Sequence, residues 1–336
     1  MYLKPLKIGN LTLKNNIFIA PLAGYTNLPT RLIYRNLGAG LAYSEMISAE
    51  GLNYSYNKSV KLLNSIDEDK PLGIQLFGAN AERILMAFKK IKDFDFDLVD
   101  INCGCSVKKI VKSNAGACLL KTPDEIYKII KTLKENTDKP VTLKIRSGYD
   151  MENQNFIEVL EASESAGASL ITLHPRTKTM LFSGKANWEH IKILKEKSKI
   201  PVIGNGDIFT AEDAKKMFET TNCDGIMLAR GVINNPFLIK EIISTLNNET
   251  YIPPSLEERV GMILEHCRVF ANFFGEAKGV IEFRKYFHSY IKGFHDIKHL
   301  REKINSVLTI NDVEKELNNY LSSIHFLHNP SIEKPL

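Results

Sequence analysis

Two cysteines stand one residue apart in Ile101-Asn102-Cys103-Gly104-Cys105-Ser106-Val107-Lys108-Lys109, directly after an apolar run. Thiols at that spacing invite three chemistries. A zinc site needs a second pair of ligands at matching spacing, yet Cys118 is the only further cysteine nearby and no histidine accompanies it. A redox pair of the C-x-x-C type has two residues between its thiols, and here only Gly104 intervenes. What remains is one working thiol beside a bystander, with no metal expected. Other residues able to do chemistry follow along the chain: Gln75, Lys144 and Arg146, His174-Pro175-Arg176, Gly204-Asn205-Gly206-Asp207 and Ala229-Arg230-Gly231. The last two stretches combine small residues, exposed backbone N–H groups and a guanidinium. A phosphate needs those features, namely close backbone approach and a bidentate charge partner. Taken singly, Gln75 can be a satisfied core amide, His174 a structural histidine and Glu45 a helix cap.

The elements that must position these residues are short. Near-continuous apolar runs occupy 17–20, 41–45, 72–76, 97–101, 141–145, 170–174, 201–205 and 224–228. Such runs suit parallel strands buried on both faces. The segments between them read as helices. Thr122-Pro123-Asp124-Glu125 has the form of a helix start, with a cap, a proline in the first turn and a glutamate three residues on, and Thr210-Ala211-Glu212-Asp213 is similar. Eight strand–helix units predict an α/β fold, a (β/α)8 TIM barrel, over residues 1–250. A doubly wound sheet is the alternative, but no G-x-G-x-x-G or G-x-x-x-x-G-K-[ST] occurs. Lys4–Lys14, with Gly9-Asn10 inside it, reads as a hairpin ahead of the barrel. Pro253-Pro254 ends the pattern, and 251–336 reads as a small all-α domain with helices near 256–274, 279–292, 296–307 and 312–327. On a barrel every chemistry-bearing residue named above falls at the C-terminal ends of the strands, where this fold keeps its sites, and the loops after strands seven and eight are its usual phosphate site.

Bulk properties narrow the class. Met1–Pro5 lacks a secretory pattern, and no stretch reaches the roughly 18 uninterrupted apolar residues of a membrane span. Five sparse cysteines suit free thiols in a reducing, cytoplasmic setting. A net charge of +5 is weak evidence for an anionic partner by itself. The charge is concentrated, however: 284–303 holds six basic residues against two acidic ones, interleaved with Tyr286, Tyr290 and Phe294, which suits a face that tracks phosphates.

Ala20-Pro21-Leu22-Ala23-Gly24-Tyr25-Thr26, Gln75-Leu76-Phe77-Gly78, Asn102-Cys103-Gly104-Cys105, Lys144-Ile145-Arg146, His174-Pro175-Arg176-Thr177, Gly204-Asn205-Gly206-Asp207 and Ala229-Arg230-Gly231 together resemble the tRNA-dihydrouridine synthases, most of all the bacterial B-type branch. The motifs keep family order over residues from about 15 to 300. The resemblance implies an FMN-binding barrel and a helical domain that grips tRNA. Pro21, Leu22 and Ala23 would lie along the flavin, and Gln75 and Lys144 would bond its ring edge. His174, Asn205, Gly206, Asp207, Ala229, Arg230 and Gly231 would hold the ribityl-phosphate end. Cys105 would be the proton donor, and Asn102 would help position the uracil. Two positions depart from the family: Leu22 replaces a methionine, a volume-conserving swap, and Ser106 replaces a proline that would restrain the cysteine loop.

The implied reaction is reduction of uridine to 5,6-dihydrouridine in the tRNA D-loop, with hydride from flavin N5 to C6 and a proton to C5, and with NADPH, or NADH, as reductant. A cysteine of ordinary pKa, near ~8.5, is largely protonated at neutral pH and can donate, so Cys105 is expected not to be strongly acidified. Lys108, Lys109, Arg176, Lys178, Arg284, Lys285, Lys292 and Arg301 are the expected RNA-binding residues. A monomer is expected. Two other readings stay open: an FMN-barrel reductase of a free small molecule, such as a dihydropyrimidine or dihydroorotate dehydrogenase, and a non-catalytic tRNA-binding flavoprotein.

Overall fold

The computed structural model describes residues 2–328; the end of the tail read as helical, 329–336, lies outside the described residues. Leu6–Ile8 (β1) and Leu11–Leu13 (β2) form the expected antiparallel hairpin. Eight parallel strands follow: Ile17–Ile19 (β3), Leu41–Ser48 (β4), Leu72–Phe77 (β5), Leu98–Cys103 (β6), Val141–Arg146 (β7), Leu170–His174 (β8), Val202–Asn205 (β9) and Gly225–Leu228 (β10). They close in the order β10-β3-β4-β5-β6-β7-β8-β9. Each of the eight apolar runs is one of these strands, and the pairing of β10 with β3 excludes an open doubly wound sheet. Closure explains the composition, because a strand with barrel core on one side and a helix on the other has no wet face. At the N-terminal end Leu6, Ile8 and Leu13 of the hairpin join Phe18, Leu41, Leu98, Leu170 and Met227 in one buried cluster. Each such side chain contributes roughly 1.5–3 kcal/mol by leaving water.

Two local expectations change. The run at 41–45 is the start of a longer strand: the β4–β5 ladder shifts register between Tyr43 and Met46, and β4 continues to Ser48. Ser48, not Glu45, then caps the helix Ala49–Tyr54, its hydroxyl accepting from the Gly51 amide at 3.1 Å. At the helix Pro123–Lys134 the proline occupies the first turn, but Thr122 makes no cap. Its hydroxyl donates to the Leu119 carbonyl at 3.3 Å, and Glu125 accepts from the Ala81 amide at 2.8 Å. The reciprocal box does form at Thr210 and Asp213, heading the helix Ala211–Thr221.

The described chain forms two compact units, one of residues 2–231 with 238–250, the other of 232–237 with 251–328. Thus the short segment 232–237 groups with the second unit, whereas the sequence reading placed its boundary at 250. This unit holds the helices Leu256–Phe274, Glu276–Tyr290, Lys298–Ser306 and Ile310–His328. Ser255 and Glu258 form a capping box at the head of the first. Its core surrounds His266, which is fully buried against Phe270, Phe283, Tyr286 and Tyr290. Among the described residues no helix is long and apolar enough to cross a membrane.

Candidate active site

Strand register decides which side chains meet. Gln75 pairs with Asp100, and Asp100 with Thr142, in one layer of the barrel. Two residues further on, Asn102, Lys144 and Thr172 are ladder neighbours, and two further again Arg146 lies beside His174. Side chains two apart on a strand share a face, so this polar stack rises through the lumen toward the C-terminal mouth. It ends at a cavity of about 280 Å³, at the small end of ligand pockets. Every residue read from the sequence as cofactor-binding lines it: Pro21, Leu22, Ala23, Gln75, Lys144, His174, Asn205, Gly206, Asp207, Ala229, Arg230 and Gly231. Asn102 and Cys105 line it too.

The cysteine loop is braced from all sides. Asn102 Oδ1 accepts from the Gly104 and Cys105 amides at 3.1 and 2.8 Å, and Arg146 Nε donates to the Gly104 carbonyl at 2.9 Å. The Ala117 amide donates to the Cys105 carbonyl at 3.0 Å. Gly116 permits that approach: it has φ +61°, and a Cβ there would sit 2.8 Å from the Cys105 oxygen. These contacts supply the restraint that a proline at 106 would give, and Ser106 itself bonds no described residue. Cys105 is half-buried. Burial pushes its thiol up, against the Val107 amide, Arg146 and Lys144, which favour the thiolate. Cys103 is fully buried, and burial with the nearby Asp100 charge pushes its thiol up as well.

Across the cavity lies a cationic wall. Lys144 is half-buried, forms no hydrogen bond or ion pair with a described residue, and has its pKa lowered to about 8 by burial and by Arg146. Burial and the cations Lys144, Arg146, Arg176 and Arg230 hold His174 well below its ordinary pKa, so its imidazole is neutral. Gly206 has φ +116°, and a Cβ there would fall 2.8 Å from the His174 ring, so only glycine fits the turn after β9. The Arg230 guanidinium lies over two aromatic rings, 4.7 Å from the centre of Phe182 and 5.3 Å from that of Phe209.

Asp207 and Arg176 are bonded to each other and to neighbouring groups of the protein. Asp207 lines the cavity, but its oxygens accept from both Nη atoms of Arg176 at 2.9 and 2.7 Å, from the Ala186 amide at 2.8 Å and from Arg230 at 3.4 Å. Burial opposes its charge, yet Arg176 and these donors hold its pKa below the ordinary value. Its work is to hold arginines. Arg176 is 3% exposed, and its remaining donors reach the Ser183 and Gly184 carbonyls and His174. All five N–H groups of a guanidinium are thereby engaged, which leaves none for a nucleotide.

The other basic residues divide similarly. Lys108 and Lys109 are exposed at the start of the helix Lys108–Lys112. Lys178 lies 4.6 Å from the Tyr149 ring centre with Lys121 at 3.6 Å, and neither lysine has a described acidic partner. In the helical unit Arg284 donates to the Val307 carbonyl at 2.8 Å, and Lys285 faces Glu282 at 3.4 Å. Lys292 and Arg301 are exposed, Lys292 reaching Asn234 Oδ1 at 3.2 Å. The sequence reading gave no role to Asp100, Arg146, Met46, Phe182, Phe209, Lys121 or Tyr149. For Asp100 a signal existed: one acidic residue inside an apolar strand, in phase with Asn102.

A sequence model of the family described as Dihydrouridine synthase (Dus) matches residues 18–325. The chain is 36% identical over 303 residues to tRNA-dihydrouridine synthase B of Pasteurella multocida (strain Pm70), covering 90% of this chain and 91% of that protein. It is 34% identical to a probable tRNA-dihydrouridine synthase of Rickettsia bellii (strain RML369-C), covering 89% and 93%. Among solved structures, histamine dehydrogenase from Rhizobium sp. 4-9 superposes with a TM-score of 0.57 at 18% identity, over 80% of this chain and 51% of that one. An old yellow enzyme homologue from Zymomonas mobilis does so with a TM-score of 0.51 at 16% identity, over 76% and 95%. At such identities these structures show a shared fold alone.

Proposed function

The chain belongs to the dihydrouridine synthase family, and on that premise we propose that it reduces uridine to 5,6-dihydrouridine in tRNA, with FMN held in the barrel mouth and Cys105 as the acid. The observation that carries the proposal is one cavity lined both by the Cys105 thiol, whose pKa burial pushes up, and by the half-buried Lys144 ammonium, which has no bonding partner among the described residues.

The residues present fit a flavin phosphate. Lys144 lacks an anionic or acceptor partner among the described residues, and a bound flavin would supply one. Gly206 leaves the His174 side of the mouth open, and Arg230, braced by Asp207 and two aromatic rings, offers a guanidinium to a phosphate. Pro21, Leu22, Ala23 and Met227 give apolar wall. Bound and reduced, FMN would supply the hydride that C6 of uracil accepts, with NADPH or NADH as its reductant. The chain's own work is the remainder. Hydride addition leaves enolate-like charge at C5, and Cys105 donates its proton there. Asn102 holds the Cys105 amide so that the thiol stays in the cavity wall. Lys144, still charged at neutral pH, would stabilise negative charge on a flavin ring bound beside it. The target base has to leave its stack to enter a barrel mouth. Lys108, Lys109, the Lys121–Lys178 pair, Lys292 and Arg301, none with a described acidic partner, are cations available to the backbone of the RNA.

The test is tRNA from a strain lacking the gene, with and without the gene restored, read by mass spectrometry for uridines heavier by two hydrogens. Dihydrouridine at a defined position only when the gene is present is the expected result. Identical spectra at every uridine would point to a free small-molecule substrate instead.

A further inference from the structure

We propose that Asp100 is a positioning residue that orients the amides of Gln75 and Asn102 and, through them, the backbone of the Cys105 loop; the importance of that loop rests on the reading of Cys105 as the acid. Asp100 sits on β6, 1% exposed, and forms no ion pair with a described residue. Burying a carboxylate is costly unless hydrogen bonds compensate. Its two bonds come from Thr142 Oγ1 at 2.6 Å and Gln75 Nε2 at 2.7 Å.

Direction is what this arrangement provides. An ionised carboxylate only accepts, so Gln75 has to turn its NH₂ toward Asp100 and its oxygen the other way. There Asn102 Nδ2 donates to Gln75 Oε1 at 2.7 Å. The Asn102 oxygen is then obliged to face the Gly104 and Cys105 amides, both of which it accepts. Without an acceptor at position 100 both amides could turn over. A reversed Asn102 would set its NH₂ against two N–H donors, an arrangement that releases the loop. The polarity of the chain therefore starts at Asp100 and ends at the Cys105 amide, two barrel layers above.

Hydrogen exchange of the Gly104 and Cys105 amides in the purified full-length protein tests this. Asp100→Leu should speed exchange of those two amides about tenfold, the worth of one lost hydrogen bond, while the β7 and β8 amides keep their protection. Asp100→Asn retains an acceptor for Gln75 and should stay near the wild type. The kcat for dihydrouridine should fall in Asp100→Leu with the KM for tRNA unchanged. Wild-type exchange of the two amides in Asp100→Leu would overturn the proposal, as would equal loss in Asp100→Asn. Should Asp100→Leu not fold, Asp100→Thr, too short to reach Gln75, takes its place under the same two criteria. Because exchange is read without RNA, failure here is distinct from failure of the wild type to make dihydrouridine.

Discussion

In the proposed reaction Cys105 would have to be protonated to donate and accessible to be useful, and these demands pull apart. Full burial protects the proton but hides the thiol; exposure beside cations makes a thiolate. The half-buried position resolves this, with burial outweighing Arg146 and Lys144. On the proposed mechanism Cys105→Ala should lower kcat at least about a hundredfold with tRNA binding retained; a rate within a few-fold of wild type would assign the proton to another group. The pH profile has a definite sign. Lys144 titrates at about 8, below the raised Cys105 thiol, so the alkaline fall in rate should begin near that pH through loss of the ammonium. Lys144→Arg, which stays charged, should move the fall to higher pH, toward the thiol. An unmoved limb would mean that Lys144 does not set it. Much of this site was legible in the chain, because a thiol, an amide and a lysine at the ends of successive strands carry their chemistry in their type. The partners of Asp100 and Arg146 were not, because only the folded register brings them near. Arg176 was misplaced for the converse reason: an arginine after a strand looks free until Asp207 is beside it.

The strands were readable because burial on both faces leaves a run of apolar residues, while their ends were set by events invisible to periodicity, such as the register shift in β4 and the diversion of Thr122 and Glu125 to other partners. Loops carry the consequence for RNA. The loops after β7 and β8 are tied together by the Lys178 amide to the Gly148 carbonyl at 3.0 Å and the Thr179 amide to the Tyr149 carbonyl at 3.1 Å. That pairing brings Lys121 and Lys178 to one ring without a neutralising carboxylate. Lys121→Gln and Lys178→Gln should each reduce the slope of log K against log salt for tRNA by about 1. Arg176→Gln should behave differently. It leaves Asp207 with its charge partly buried and should cost about 3 kcal/mol of stability, seen as a lower melting temperature with the salt slope intact. A changed slope in Arg176→Gln would return that residue to the RNA surface.

Asp100 in the barrel and His266 in the helical unit have opposite dependences on acid. In the barrel, burial raises Asp100 to about 6, only partly offset by Thr142, Gln75 and Lys144. An acid whose folded pKa is raised loses stability as pH rises through the interval above its ordinary value, so falling pH relieves the barrel of this cost. In the helical unit His266 is enclosed by aromatic rings, bonds Tyr290 Oη through Nδ1 at 3.0 Å and leaves Nε2 without a partner. Burial, with Lys285 second, lowers its pKa to about 3. The unfolded chain then binds a proton that the folded unit refuses, so the stability His266 permits is complete above about 6.5 and is lost as pH falls toward 3, on the order of 5 kcal/mol in all. The helical unit should therefore lose stability on acidification through His266. Hydrogen exchange resolved by segment between pH 7 and 4 should show protection lost early in 256–290. His266→Phe, which keeps the aromatic packing and cannot charge, should remove that early loss and leave the response of the barrel strands unchanged. Early opening that persists in His266→Phe would place the acid sensitivity of the unit in its surface charges instead.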